Sequence, residues 1–185
     1  MNFSPRVLKA TKATNAALSA AFTLIELLIV IAIIAVLAGL LMPAASSALN
    51  TAKKTTTKNQ AVQIATAITA YETEYGKLPS VTGSNVNTAM VAILCSTNDA
   101  SNNPRGIVFL EAQAWKSGKG GTNGSGFCDP FSATNVYSVA LDTNYANQIT
   151  VPTNASSGTA VITKHVGVWT TPKIGNTNVL INSWD

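Results

Sequence analysis

The chain has 185 residues, of which 46% are apolar and only 11% are charged, and this length suits one modest domain rather than two. Its net charge is +4, but three basic residues (Arg6, Lys9 and Lys12) lie at the N-terminal tip, and without residues 1–21 nine basic residues face eight acidic ones. This balance gives no support for a bulk nucleic-acid-binding surface.

The most apolar stretch is FTLIELLIVIAIIAVLAGLLM, residues 22–42. As a helix its 21 residues would measure about 31 Å, one hydrocarbon thickness of a bilayer. The basic tip before it indicates a cytoplasmic N-terminus by the positive-inside rule. Three interpretations compete for this segment: a cleaved secretory signal peptide, a plain uncleaved anchor, and a membrane helix in which Glu26 has a function.

Glu26 separates these interpretations, because it is the only charge between Lys12 and Lys53. A signal peptide explains the basic start and the AASSA site, but the apolar run is too long for one. A plain anchor gives no reason for a carboxylate that costs about 2.5–3.5 kcal/mol in a membrane helix. A cut between Ala21 and Phe22 would supply a partner, since the new α-ammonium would lie four residues before Glu26 or beside Glu26 of a neighbouring chain.

The stretch FTLIELLIVIAIIAVLAGLL resembles the N-terminal segment of type IV pilins and type II secretion pseudopilins. The resemblance implies that a prepilin peptidase cuts between Ala21 and Phe22 and that Phe22 is then N-methylated. It also implies that Glu26, fifth in the mature chain, is needed for assembly. The sequence departs from the family at Ala21, where the pattern has Gly, and in the spacer ATNAALSAA, which separates Lys12 from the cut.

Pro43 predicts a kink in this helix, and Gly39 weakens the same turn. The kink has two interpretations: a simple exit from the membrane, or, by the resemblance, a part of the helix that bends or unwinds inside a filament. Beyond it an apolar stripe at steps of three and four predicts that the helix continues to about Tyr75, where Gly76 and Pro79 end it. The stripe consists of Ala61, Ile64, Ala65, Ile68, Tyr71 and Tyr75.

The rest of the chain predicts loops and short strands, and hence an α+β fold. Together with the long helix it resembles a type IV pilin-like lollipop, with a small antiparallel β-sheet packed on the helix. The β-rich runs are residues 136–142, 148–152, 160–171 and 178–184, and residues 106–112 form a short apolar run. The expected segments are a cytoplasmic leader (1–21), a transmembrane assembly half-helix (22–42), an amphipathic half-helix (43–76) and an extracytoplasmic globular region (77–185).

Three short stretches are similar to major pseudopilins of type II secretion: YETEYGKLP, FCDPFSATNVYSVALD and INSWD. Asp129, Pro130 and Tyr137 match the D-P-W-G-N-P-Y pattern of that family, whereas Phe131 and Ser132 replace its Trp and Gly. The resemblance therefore favours a secretion pseudopilin, with a type IV pilin as the alternative.

Cys95 and Cys128 both lie in the expected extracytoplasmic region, where oxidation is possible. A disulfide between them is the leading expectation and would contribute about 3–4 kcal/mol in the chain-entropy model. Two unpaired buried thiols and a metal site are the alternatives, and the sequence lacks a second Cys pair or His cluster for a metal.

Calcium is the ligand that the resemblance implies for the C-terminal loops, but the sequence disfavours it. Asn176 and Asn178 offer neutral oxygens, and Asp142 and Asn144 have loop-like spacing without a further acid. We therefore expect no cofactor. We also expect no enzyme, since His165 is the single histidine, and GKGGTNGSG matches no nucleotide-binding motif and is predicted to be a flexible loop.

The expected protein is a structural subunit of a filament rooted in the bacterial inner membrane, single-pass with its ectodomain in the periplasm. The resemblance implies as partners other copies of itself, minor pseudopilins, prepilin peptidase, membrane lipid and an inner-membrane assembly platform with a cytoplasmic ATPase, and no nucleic acid. The alternatives are a pilus subunit for adhesion, motility or DNA uptake, and a monomeric anchored binding protein.

Overall fold

The computed structural model describes residues 22–97 and 101–184. The chain divides into two compact units, residues 1–43 and 44–185, so the boundary falls directly after Pro43. Residues 1–21, and with them the predicted leader and Ala21, lie outside the described residues.

Helix α1 spans Leu24–Tyr75, 52 residues, which confirms the long N-terminal helix predicted from the sequence. It continues through Pro43, so the proline does not end it. Gly76 ends it, with a positive φ of 67° and an amide that donates to the carbonyl of Glu72 at 2.8 Å. This is the left-handed residue that commonly closes a helix and that glycine adopts without a steric penalty.

In the first unit, the apolar side chains of α1 are exposed, from Leu24 (88%) to Met42 (77%). By length and composition, α1 is the one helix among the described residues that could cross a membrane. Such a surface needs an apolar covering that this unit does not supply itself.

In the second unit, one stripe of α1 lies in the hydrophobic core. Its buried residues are Thr57, Ala61, Ile64, Ala67, Ile68 and Tyr71. The predicted stripe is confirmed at four of these positions, while Ala65 and Tyr75 are partly buried against the core. The 3.6-residue period of a helix explains why these side chains share a face.

The same helix is rich in threonine, and seven threonine hydroxyls bond back to the helix. Each donates to the carbonyl four residues earlier, at 2.8–3.1 Å: Thr51, Thr55, Thr56, Thr57, Thr66, Thr69 and Thr73. This bond satisfies the hydroxyl without any partner outside the helix.

Helix α2, Thr88–Leu94, was not predicted. Asn87 caps it, its Oδ1 accepting from the amide of Met90 at 3.0 Å, and Met90, Ile93 and Leu94 enter the core. The apolar run at residues 106–112 pairs with this helix rather than with a strand, because the amides of Phe109 and Leu110 both donate to the carbonyl of Leu94 at 2.8 and 3.0 Å.

Nine short strands in the described part of the chain complete the α+β fold. They are β1 (Gly121–Asn123), β2 (Gly126–Cys128), β3 (Ser138–Leu141), β4 (Ile149–Pro152), β5 (Thr159–Ile162), β6 (Val166–Thr170), β7 (Lys173–Ile174), β8 (Thr177–Asn178) and β9 (Ile181–Asn182). The central sheet is antiparallel in the order β3-β6-β9, with Val139 opposite Val168 and Thr170 opposite Ile181. The other strands form three antiparallel hairpins, β1-β2, β4-β5 and β7-β8.

The glycine-rich stretch at residues 118–126 corrects a prediction, because it is not simply a flexible loop. Its second half forms β1 and the start of β2, joined by a turn in which the Asn123 side chain accepts from the amide of Ser125 at 2.8 Å. Gly126 has a φ of 137°, and a Cβ there would collide with the carbonyl of Val86. Glycine is thus required for close backbone packing as well as for the turn.

Candidate functional site

The candidate site lies at the N-terminal end of α1, around Thr23 and Glu26. The Glu26 carboxylate accepts from the Thr23 amide at 2.8 Å and from the Thr23 hydroxyl at 2.7 Å, both through Oε2. In return the Glu26 amide donates to Thr23 Oγ1 at 3.3 Å. This is a reciprocal capping box, in which the threonine caps the helix and the glutamate three residues later bonds back.

The geometry leaves the other oxygen of Glu26, Oε1, without a hydrogen bond to any described residue. The carboxylate sits in the first turn, where the helix dipole favours negative charge. A nearby ammonium could therefore bind Oε1 while Thr23 holds Oε2. Phe22, which would carry that ammonium after the predicted cut, is 73% exposed.

The cap was not predicted, although the sequence carries a signal for it. The pattern T-x-x-E, Thr23 to Glu26, directly precedes an apolar run and is the usual mark of a helix start. Glu26 therefore has a local role in starting the helix besides its predicted role in assembly. The cap does not replace the predicted ion pair, because the two use different oxygens.

Gly39 and Pro43, the predicted kink residues, both lie inside α1 in the first unit. A Cβ on Gly39 would touch nothing within 4 Å, so nothing packs closely there. The kink itself stays a prediction.

The predicted disulfide between Cys95 and Cys128 is not formed in this structure, where both are free thiols. Cys95 follows helix α2 as its C-cap. Cys128, in β2, directs its sulfur to the carbonyl of Ala133 at 3.1 Å and to the side chain of Asn123 at 3.5 Å. The Cys128 thiol is thus held by local contacts, and burial raises the pKa of both thiols.

The weak calcium candidates do not form a common site. Both oxygens of the buried Asp142 carboxylate accept from backbone amides, from Ala146 at 2.9 Å and from Asn147 at 2.6 Å. Asp142 therefore shapes the turn between β3 and β4, in which Asn144 is an exposed residue. Asn176 and Asn178 belong to a different element, the exposed β7-β8 hairpin. Among the described residues, no cluster of three metal-ligating side chains is found.

One cluster of ionisable side chains was not predicted from the sequence. His165, directly before β6, places Nδ1 3.4 Å from Oε1 of Glu72 on α1 and 3.9 Å from Oδ2 of Asp142. Nδ1 is buried and has no hydrogen bond among the described residues. The cluster joins α1 to the central sheet, and no local sequence pattern could reveal it, because its members are far apart in the chain.

The D-P-F segment, Asp129 to Phe131, contains a buried carboxylate to which several parts of the second unit donate hydrogen bonds. The Asp129 carboxylate is fully buried and accepts from the amides of Phe131 and Ser132 at 2.8 and 3.0 Å. It also accepts from the hydroxyl of Thr170 at 2.9 Å and from the side-chain amide of Asn135. The buried charge is thereby satisfied entirely by hydrogen bonds.

Tyr137, the other matched residue of that segment, ties the central sheet to α1. Its hydroxyl lies 3.1 Å from the carbonyl of Thr57 and 3.0 Å from Oε1 of Gln60. Burial, with a smaller contribution from the charge of Asp129, raises the pKa of Tyr137. These matched residues therefore have evident structural roles.

Comparison with known proteins gives one match. Residues 17–42 match the family model described as the prokaryotic N-terminal methylation motif, the prepilin signal of type IV pilin-like proteins. The matched segment ends at Met42 and contains the capping box. No curated protein and no solved structure matches the chain.

Proposed function

We propose that this protein is a structural subunit of a helical filament rooted in the bacterial inner membrane, and specifically a pseudopilin of a type II protein secretion system. The observation that carries the pilin-like class is the N-terminal methylation motif at residues 17–42, which does not distinguish pseudopilins from pilins. The motif coincides with the start of a helix that is long and apolar enough to cross a membrane. The choice of a pseudopilin rests on the resemblance of YETEYGKLP, FCDPFSATNVYSVALD and INSWD to that group.

Processing would prepare the chain for assembly. Prepilin peptidase hydrolyses the bond between Ala21 and Phe22, with the basic leader on the cytoplasmic side, and the new amine of Phe22 is methylated. That amine is protonated at neutral pH. The chain then has an ammonium at one end of its membrane helix and a capped carboxylate, Glu26, in the first turn.

Assembly would use these two charges between subunits. The ammonium of an incoming subunit binds Glu26 of its neighbour through the unoccupied Oε1, which neutralises a charge that is costly in hydrocarbon. The exposed apolar side chains of residues 24–42 then pack against other copies instead of lipid. Minor pseudopilins, an inner-membrane platform and a cytoplasmic ATPase complete the machinery, and filament growth in the periplasm moves exported proteins outward.

Determining the mature N-terminus tests the proposed cleavage between Ala21 and Phe22. Mass spectrometry of the protein isolated from its host should show a chain that begins at methylated Phe22. Glu26→Ala should be processed normally but should not enter filaments, and Glu26→Gln, which keeps the size but not the charge, should fail in the same way. A chain that retains Met1, with Glu26→Ala harmless to assembly, would favour the monomeric anchored protein instead.

Deleting the gene for this chain in its host distinguishes a pseudopilin from a pilus subunit. Loss of exoprotein secretion with normal surface fibres supports the proposal. Loss of long fibres and of twitching motility, with secretion intact, would instead assign the chain to a type IV pilus.

A further inference from the structure

His165 is the single histidine of the chain, and it lies directly before β6 in the second unit. Its backbone carbonyl accepts from the amide of Asp142 at 2.9 Å, which extends the pairing of β3 with β6 by one residue. Its ring lies beside α1, with Nδ1 3.4 Å from Oε1 of Glu72. The backbone of His165 thus belongs to the central sheet, while its side chain contacts the helix.

The charged groups around this ring come from three parts of the fold. Glu72 faces it from α1, and Asp142, with Oδ2 3.9 Å from Nδ1, faces it from the turn after β3. Lys164, the preceding residue, is exposed and lines a groove of about 670 Å³ together with His165 and Glu72. Among the described residues that line this groove, no other side chain is charged. Both groups within ion-pair distance of the ring are therefore carboxylates.

The two carboxylates decide where the neutral ring keeps its proton. A neutral imidazole has a proton on one nitrogen and a lone pair on the other. Nδ1 is buried and has no hydrogen bond among the described residues. A lone pair at this position would face the negative oxygens of Glu72 and Asp142, whereas an N–H there would be attracted by both. The proton of the neutral ring therefore belongs on Nδ1, and the lone pair on Nε2.

Nε2 is the nitrogen that can exchange a proton with water. The side chain of His165 is 40% exposed although Nδ1 is buried, so the exposed part of the ring lies away from Nδ1. A second proton on Nε2 gives an imidazolium, a cation in which both nitrogens donate. Glu72 is the carboxylate that gains most from this cation, because its side chain is only 19% exposed and accepts no hydrogen bond from any described residue. Both oxygens of Asp142 already accept from backbone amides.

We propose that His165 and Glu72 form a proton-dependent clamp: as the pH falls from about 8 to about 5, Nε2 takes up a proton and the imidazolium binds α1 more tightly to the central sheet. In the unfolded chain neither carboxylate is held beside the histidine. The folded chain therefore binds this proton more tightly, so the stabilisation is present at the acidic end of this range and is lost as the pH rises through it. The clamp lies within the second unit, and it does not depend on whether the chain enters a filament.

NMR of the ring nitrogens tests the proton positions directly, because the chain has one histidine. The full chain, without a histidine tag, is labelled with ¹⁵N at histidine alone and measured in detergent. Above about pH 8 the neutral ring should carry its proton on Nδ1, and it should become an imidazolium in one step as the pH is lowered to about 5. A neutral ring with its proton on Nε2 overturns the inference, because a lone pair would then face Glu72.

Urea unfolding at about pH 5.5 and about pH 8 measures what the clamp contributes to stability. On acidification, the ratio of folded to unfolded chain should rise about two- to fivefold more in the wild type than in His165→Gln, the range for a partly exposed ion pair. Glu72→Gln keeps the histidine but removes the facing charge, and should lose most of this difference. Glu111→Gln removes an exposed carboxylate that does not line the groove, and should keep the difference.

Two outcomes of the urea experiment overturn the inference. Equal stabilisation by acid in the wild type and in His165→Gln would show that protonation of the ring is not coupled to folding. Loss of the difference in Glu111→Gln as well as in Glu72→Gln would show that net charge, and not the contact with α1, is responsible. Neither outcome bears on cleavage before Phe22 or on assembly, so the filament proposal is tested separately.

Discussion

Thr23 holds one oxygen of the Glu26 carboxylate with two hydrogen bonds, one from its amide and one from its hydroxyl, and leaves the other oxygen open. The same carboxylate therefore starts the helix and remains available to an ammonium. A side chain fixed in this way loses little conformational freedom when a neighbouring subunit binds it, so the cap prepares the proposed assembly contact.

Thr23→Val should weaken this arrangement, because valine keeps the shape but lacks the hydroxyl. Loss of a threonine cap costs about 0.5–2 kcal/mol of local helix stability. We expect normal cleavage and a reduced yield of sedimentable filaments, whereas Thr23→Ser should assemble as the wild type does. If Thr23→Val assembles normally while Glu26→Ala does not, the carboxylate acts without the cap.

The close backbone contact at Gly126 provides a matched pair of glycine substitutions. Gly126→Ala adds a Cβ against the carbonyl of Val86 at a φ of 137°, and should lower the free energy of unfolding by about 3 kcal/mol or more. Gly124→Ala, two residues away with nothing within 4 Å, should change it by less than about 1 kcal/mol. Urea unfolding of the full chain in detergent, followed by tryptophan fluorescence, measures both, and equal midpoints would contradict the contact.

Asp129→Asn should destabilise the second unit strongly. The amide of asparagine turns one acceptor into a donor, so at least one of the four donors around Asp129 loses its partner in the buried site. Unpaired buried groups cost about 1–3 kcal/mol each, and more where a charge was involved. Glu111→Gln, an exposed carboxylate, is the control and should leave the urea midpoint unchanged. An unchanged urea midpoint for Asp129→Asn would show that the buried charge is not needed for stability.

The buried hydroxyl of Tyr137 should make the free energy of unfolding fall in alkaline solution. Because burial raises its pKa, the folded chain keeps the phenolic proton at a pH where the unfolded chain releases it. The contribution of this proton to the free energy of unfolding is complete below about pH 10, the ordinary pKa of tyrosine. Above that pH it falls by up to about 1.4 kcal/mol per pH unit. Urea midpoints measured from neutral to alkaline pH should show this slope.

The matched variant for this titration is Tyr137→Phe. It should be less stable at neutral pH, because the bonds to Thr57 and Gln60 are lost. Above about pH 10 its free energy of unfolding should fall less steeply with pH, by the contribution of one proton. The fall that begins near about pH 8.5, from partly buried Cys95 and buried Cys128, should persist. An unchanged slope above pH 10 would assign the alkaline loss to other groups.

The two cysteines should be reduced in the isolated protein. Alkylation of the unfolded chain without reductant should add two groups, one at Cys95 and one at Cys128. In the folded chain Cys128 should react far more slowly than an exposed thiol, since it is buried and its pKa is raised. No alkylation before reduction would show that a disulfide forms after all.

The long helix and the main strands were predictable because their sequence patterns extend over many residues. The stripe of α1 repeats over several turns, and the runs around β3, β4 and β6 are rich in β-branched residues, so helix and strands were both expected. Helix α2 was missed because its seven residues are too few to show a period and follow a turn-rich stretch. The β1-β2 hairpin was missed because its glycines, needed for backbone approach, resemble those of a flexible loop.

The contacts between distant residues could not be predicted. His165, directly before β6, meets Glu72 on α1, and Asp129, directly after β2, meets Thr170 at the end of β6. No local spacing encodes either pair. The state of the two cysteines could not be predicted for a related reason. Composition and compartment permit a disulfide, but the distance and orientation of the two thiols in the fold decide whether one forms.

The back-bonded threonines of α1 have a consequence for how the second unit meets other proteins. A free hydroxyl loses its water when a neighbour covers it and must find a new partner. Most of the seven threonines are exposed, yet their hydroxyls already bond to their own helix. These hydroxyls therefore need no new partner whether water or, in the proposed filament, another subunit covers them. Repeated assembly and disassembly of such a filament would leave their hydrogen bonds unchanged.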